Sequence, residues 1–173
     1  MISITRATPE DYKSISHIGL ISVEEAHRGS CPPQILNTYL KNHYNDLTLI
    51  GELNDPKNLY HILYYHDKPV GFSKIILNVQ HANISNPYVT KLDRIYLLSE
   101  FHQLKLGAAL LNYNIEYSRA NHQQGMWLFT WIGNTKAIRF YHQAGFKIIG
   151  SHQFEVTKEH LNENHHMFMD YSL

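Results

Sequence analysis

The chain has 173 residues, enough for one domain that buries roughly two-thirds of its unfolded surface. Lysine plus arginine and aspartate plus glutamate balance at 15 each, so the zero formal charge points to neither nucleic acid nor an anionic membrane as partner. The one cysteine, Cys31, excludes an intrachain disulfide and a CxxC metal site and fits a reducing cytoplasm; no apolar run approaches 18 residues. Thirteen histidines would raise the net charge as pH falls through about 6.5.

Met1–Arg6 reads as a strand rather than a signal peptide. Thr8-Pro9-Glu10-Asp11 supplies an N-cap, a proline at the first helical position and an acid at N3, so a helix follows with Tyr12, Ile15, Ile18 and Ile21 on its apolar side. A second helix begins at Pro32-Pro33, with Ile35, Leu36, Tyr39 and Leu40 as its stripe. Leu47–Leu53 gives a short third helix, which Asp55-Pro56 ends. Leu59–Tyr65 and Pro69–Leu77 form a hairpin across His66-Asp67-Lys68, and Asn83–Pro87 is a loop.

Lys91–Phe146 is the segment about which the chain is organised. Leu92–Leu98 is a largely buried strand, in which strict alternation puts Asp93, Ile95 and Leu97 on one face. Gly107 then stands at a strand-to-helix corner, before a helix opened by Ala108-Ala109-Leu110-Leu111. The first N–H groups of such a helix lack internal partners and carry its positive dipole end, a site suited to phosphate, with Lys105 adding charge. Met126–Trp131 is the next strand, with both tryptophans expected in the core. Asn134 caps a helix with Ala137, Phe140, Tyr141 and Ala144 at i, i+3, i+4, i+7 spacing, and Gly145 stops it. After the strand at Phe146–Ile149, the polar stretch Glu159–Asn164 reads as a solvated tail leading to a last strand at His166–Met169. His160, His165 and His166 are accordingly expected in water rather than on a metal. The order of elements predicts a mixed α/β sheet with helices on both sides.

The series Asp93-Arg94-Ile95-Tyr96-Leu97, Phe101 to Gly107 opening a helix, Trp127-Leu128 with Trp131, and Asn134-x-x-Ala137-x-x-Phe140-Tyr141-x-x-x-Gly145-Phe146 resembles the GNAT acetyltransferases. Arg94-Ile95-Tyr96 and the closing Gly150-Ser151-His152-Gln153-Phe154 are most similar to the bacterial spermidine/spermine N-acetyltransferases. The resemblance implies a single GNAT domain over 1–173, a mixed, mostly antiparallel twisted sheet with helices on both faces. It implies an N-acetyltransferase that passes the acetyl group of acetyl-CoA directly, in a ternary complex, to a primary amine of a small substrate, with polyamines favoured. The pyrophosphate would lie on the backbone of Gln103, Leu104, Lys105, Leu106, Gly107 and Ala108; His102 beside them either donates to a phosphate or points to water. The pantetheine arm would run along Ile95, Tyr96 and Leu97, near Asn134, Ala137 and Phe140. Tyr141 would be the general acid, although stripe spacing alone has Phe140-Tyr141 packing the helix onto the sheet.

One departure stands out. The family's phosphate loop usually reads Gln/Arg-x-x-Gly-x-Gly/Ala, and His102, Lys105 and Gly107 hold those places here. A lysine in place of the first glycine can still present its N–H if its φ is negative, and its side chain then offsets the lost close approach with charge.

An alkylamine is neutral only about one time in 2,500 at pH 7, so a proton acceptor helps. Asp93 is one candidate and an ordinary paired strand-end carboxylate is the other reading; Glu24 and Glu25 on the substrate side compete for the role. Polyamine recognition would need Glu24, Glu25, Glu52 and Asp55 to converge. A non-catalytic acyl-CoA-binding regulatory module is the alternative function. A homodimer is a further expectation, since sheet edges in small α/β domains invite pairing.

Overall fold

The structure is a computed structural model and describes residues 1–172. In chain order the elements are β1 (Ile2–Arg6), α1 (Tyr12–His27), α2 (Pro33–His43), α3 (Asp46–Asn54), β2 (Leu59–Tyr65), β3 (Lys68–Ile76), β4 (Thr90–Leu97), α4 (Leu106–Ala120), β5 (Gly125–Trp131), α5 (Thr135–Ala144), β6 (Lys147–Thr157) and β7 (His160–Asp170). The start of α1 follows the local chemistry: the Asp11 carboxylate accepts from the Thr8 N–H at 2.8 Å and its hydroxyl at 3.2 Å, over one 3-10 turn at Pro9–Asp11. At the β2–β3 turn, His66 and Asp67 both take positive φ, the twist a tight hairpin requires.

The strands make one sheet in the order β1-β2-β3-β4-β5-β7-β6, antiparallel throughout except between β4 and β5. Helices α1 to α3 cover one face, packing Ile15, Ile18, Leu36 and Leu49 on Tyr60, Ile62 and Phe72. Helices α4 and α5 cover the other, packing Leu111, Ile115 and Tyr141 on Ile75, Leu92, Met126, Leu128 and Met167. The mixed α/β sheet with helices on both faces is therefore as expected.

Four local expectations need correction. Ile21 is 38% exposed, because the inward stripe of α1 runs through Ile15, Ile18, Gly19, Ser22 and Val23. Gly107 lies inside α4, which begins at Leu106 after Lys105 as its cap. The polar stretch 159–164 is no tail: from His160 it belongs to an 11-residue strand, and its inward positions Asn162, Asn164 and His166 are buried. The hydrophobicity of β7 is concentrated at its far end, which hid the rest of the strand. Finally, Asp93 does not share a face with Ile95 and Leu97. Arg94 pairs with Lys74 and Leu92 with Ile75, so Asp93 is the extra residue of a bulge and turns to the side of Arg94.

Two buried histidines are held well below their ordinary pKa. His61 Nδ1 donates to the Asn114 side-chain oxygen at 3.0 Å while its other nitrogen is unpartnered, and burial pulls it down to about 4. His166 is held at about 4 by burial, with His81 and His152 adding repulsion. The unfolded chain, with histidine near 6.5, binds protons that the native state refuses, so both residues lower stability as pH falls from about 6.5 to about 4. Melting temperature measured from pH 7.5 to 4.5 is expected to fall through this window, and less steeply in His166→Phe.

Candidate active site

Strands β4 and β5 are joined only at Thr90↔Met126 and Lys91↔Trp127, and from Leu92 onward they part. The gap opens into a cleft of about 1310 Å³ that passes through the sheet. Alternation in the β3–β4 ladder decides which backbone groups face it. Leu98 donates to Val70, so the bonded pairs continue at Tyr96 and Arg94, and the N–H and C=O of Ile95 and Leu97 point toward β5. The side chain of Tyr96 lines the cleft from the other face, where it packs with the α1–α3 core.

One mouth of the cleft is the start of α4. Lys105 caps it with φ 57° and ψ 16°, left-handed backbone of the kind glycine usually supplies, so the condition of a negative φ is not met. The cap has no side-chain bond to the helix, and the N–H groups of Leu106, Gly107 and Ala108 are the ones a helix start leaves without internal acceptors. His102 is committed locally: its Nε2 donates to the Leu97 carbonyl at 2.9 Å and its Nδ1 accepts from the Lys136 ammonium at 2.7 Å. Lys136, on the first turn of α5, is thereby tethered at the same mouth, and sequence reasoning passed over it because nothing in its spacing marks it. Lys105, Gly107, Ala108, His102 and Lys136 all line the cleft; Gln103 and Leu104 do not, and the Leu106 side chain is buried in the core.

Farther in, α5 is set by its predicted caps. Asn134 accepts from the Ala137 N–H at 3.1 Å, and Gly145 ends the helix at φ 105°. Asn134, Ala137, Phe140 and Tyr141 then line the cleft. Tyr141 packs among Leu128, Phe146 and Met167, its hydroxyl makes no hydrogen bond among the described residues, and burial raises its pKa.

Asp93 sits in a dense ion network at the bulge. Its carboxylate is 2.7 Å from Lys91, 3.3 Å from Lys74 and 3.8 Å from the Arg94 guanidinium. Arg94 also donates to Glu52 at 3.0 Å and to the Tyr60 hydroxyl at 2.8 Å, while Lys74 donates to Glu52 at 2.9 Å and Tyr60 bonds Glu52. Burial alone would raise the pKa of Asp93, but Lys91, Lys74 and Arg94 outweigh it and hold the carboxylate below its usual range. A carboxylate so paired is a poor proton acceptor.

The sequence profile described as the Acetyltransferase (GNAT) family matches residues 20–146. The chain belongs to the GNAT family of acetyltransferases. An uncharacterised N-acetyltransferase of Mycobacterium bovis is 23% identical over 138 residues, covering 78% of this chain and 84% of that protein. The crystal structure of the PaiA N-acetyltransferase of Thermoplasma acidophilum in complex with coenzyme A superposes with TM-score 0.79 at 18% identity, covering 99% of both chains. The ribosomal-protein-S18-alanine N-acetyltransferase of Escherichia coli superposes with TM-score 0.72 at 17% identity, covering 100% of this chain and 96% of that one. At these identities the likeness is one of fold.

The far end of this GNAT cleft, under α1 and α2, differs from expectation. Glu24 is outside it, held by Arg28 through bonds of 2.7 and 3.0 Å. Glu52 is locked to Arg94 and Lys74, and Asp55 caps a surface turn by accepting from the Lys57 N–H. Glu25 does line the cleft and accepts from the Ser99 hydroxyl at 3.2 Å. His27, in the last turn of α1, lines it as well, 3.4 Å from the Tyr96 hydroxyl and 6.2 Å from the Trp131 ring. Burial lowers the pKa of His27, so it is a neutral imidazole at pH 7. No pattern in the sequence marks it. Trp131 stands at the cleft, whereas Trp127 is in the core as expected.

A Cβ in left-handed backbone costs about 1 kcal/mol, so Lys105→Gly is expected to stabilise the GNAT domain by about that amount in urea unfolding. Lys105→Ala keeps the Cβ, and its unfolding midpoint is expected to stay near the parent's.

Proposed function

We propose that the protein transfers the acetyl group of acetyl-CoA to a primary amine of a small substrate, and the observation that carries this is Tyr141. Its unbonded hydroxyl opens on the gap between β4 and β5, where exposed strand backbone and a basic helix start converge. The first N–H groups of α4, with Lys105 and Lys136, suit a pyrophosphate, and Ile95 and Leu97 offer backbone to an extended amide-bearing arm. Bound acetyl-CoA supplies the activated acetyl thioester. The relative solved with coenzyme A has the same fold over its whole length, which supports this ligand. The buried thiol of Cys31 suits a reducing cytoplasm, where the co-substrate is made.

Tyr141 acts as the acid. Burial keeps the phenol protonated, and although it is a weaker acid than a thiol, the hydrogen bond it gives strengthens as thiolate charge develops and so favours the transition state. A phenylalanine would fill nearly the same volume without that donor. His27 takes the amine proton at its ring nitrogen, a role that three neighbouring cations deny to Asp93. Backbone N–H from Ile95 or Leu97 meets the tetrahedral oxyanion. Of the carboxylates a polyamine acceptor would need, Glu25 is the one that lines the cleft free of an ion pair.

Tyr141→Phe is expected to lower kcat by about 100-fold in a thiol-release assay, with little change in melting temperature, because the lost hydroxyl bonds nothing in the protein. Release that persists at the parent rate would exclude Tyr141 as the acid; CoA binding with no release from the parent protein, whatever the amine, would leave a binding module. His27→Ala is expected to lose about 100-fold in kcat/KM at pH 7 and to recover much of it near about pH 10, where the amine is already neutral. A deficit of constant size across that range would remove His27 from proton transfer.

A further inference from the structure

The cleft's far chamber is walled by rings and amides rather than by acids. Tyr39 and Phe154 meet edge to face at 6.2 Å across its outer side, and Phe129 and Trp131 line the β5 side. Tyr39 is fixed in place by His43, stacked on it at 4.0 Å and donating from Nδ1 to its carbonyl at 2.8 Å. Asn164 is the register partner of Trp131, is 6% exposed, lines the chamber, and its side-chain oxygen accepts no hydrogen bond. A buried acceptor of this kind costs stability unless something donates to it. Charge adds the third constraint. At the β4 wall, Lys91 and Arg94 line the cleft beside Asp93, with Lys74 and Glu52 paired behind them, so cations outnumber anions.

We infer that this chamber selects an acceptor with a single amine on an aromatic body, and that the Asn164 amide, turned over to present Oδ1 to the chamber, receives an N–H of that amine. The inference rests on the acetyltransfer reading above and names its substrate class. The ring of such an acceptor lies between Tyr39 and Phe154 on one side and Trp131 on the other, an arrangement of offset and edge contacts that aromatic groups favour. Aromatic walls also attract one ammonium group. A second and third ammonium, as in spermidine, would face the surplus cations of the β4 wall with only Glu25 in compensation.

The test is calorimetric binding to the CoA-loaded protein of 2-phenylethylamine, n-butylamine and spermidine, with thiol release from acetyl-CoA measured for the same three amines. Expected is 2-phenylethylamine binding about tenfold more tightly than either of the others and giving the highest kcat/KM. Asn164→Ala weakens 2-phenylethylamine about fivefold, and Asn164→Asp, which places a carboxylate there, shifts preference toward spermidine. Phe154→Ala, on the half-buried ribbon, weakens 2-phenylethylamine but leaves n-butylamine unchanged. Spermidine binding as tightly as 2-phenylethylamine overturns the inference, as does an unchanged 2-phenylethylamine affinity in both Asn164→Ala and Phe154→Ala. Thiol release with spermidine preferred would overturn it while sparing acetyltransfer. Tight 2-phenylethylamine binding without thiol release from any amine would instead sustain the chamber's selectivity and overturn acetyltransfer.

Discussion

Everything at the site depends on two parallel strands that pair for two residues and then separate. A sheet closed along its full length would have no opening through it and no strand backbone left to offer. The bulge at Asp93 helps to break the match: it turns two successive side chains, Asp93 and Arg94, to one face, where they pair with Lys74, Lys91 and Glu52. These charges are half-buried or better, so removing one partner would leave another uncompensated, and the network resists rearrangement for that reason. The gap is thus fixed in the ground state and has no need of a ligand to prise it open.

The same fixation separates the two halves of the chemistry. On the α4–α5 face the polar equipment is backbone and cation, suited to an anionic carrier; on the α1–α2 face it is aromatic, amide and imidazole. Tyr141 stands on the first side and His27 on the second, so the proposed proton donor and acceptor would approach a reacting centre from opposite faces of the sheet. That arrangement keeps a raised phenol and a depressed imidazole from titrating each other, each tuned mainly by its own burial.

The fold was largely legible from the residues. Caps at Thr8, Asn134 and Gly145, the stripe of α2 and the hairpin at His66-Asp67 are local signals with local causes, and they hold. What failed depended on distant partners. The bulge at Asp93 exists only against Lys74 and Ile75 of a neighbouring strand, and strict alternation cannot foresee it. The strand from His160 looked like a tail because its inward side chains are asparagine and histidine, and the cleft beside Asn162 and Asn164 and the rings around His166 belong to distant elements. At the site, Tyr141, Asn134 and the α4 corner were marked by an ordered motif, whereas His27, Lys136 and Asn164 become neighbours of the cleft only through packing. The lysine at the corner was visible, but its left-handed backbone was not, since cap geometry overrode the residue's own preference.

The hairpin of β6 and β7 is longer than the sheet that carries it. β5 accompanies β7 only from Asn164 to Asp170, so the stretch from His160 to Glu163 and its partners on β6 continue as a two-stranded ribbon. Two strands alone are marginal in water, and this ribbon leans on α2 through Phe154 against Tyr39 and on the Ser30 carbonyl, to which His160 donates at 3.1 Å. Local unfolding should therefore start there, well below the free energy that opens the core. An occupant held between Tyr39 and Phe154 would tie the ribbon to the helix, so that filling the chamber and completing the fold become the same thermodynamic event.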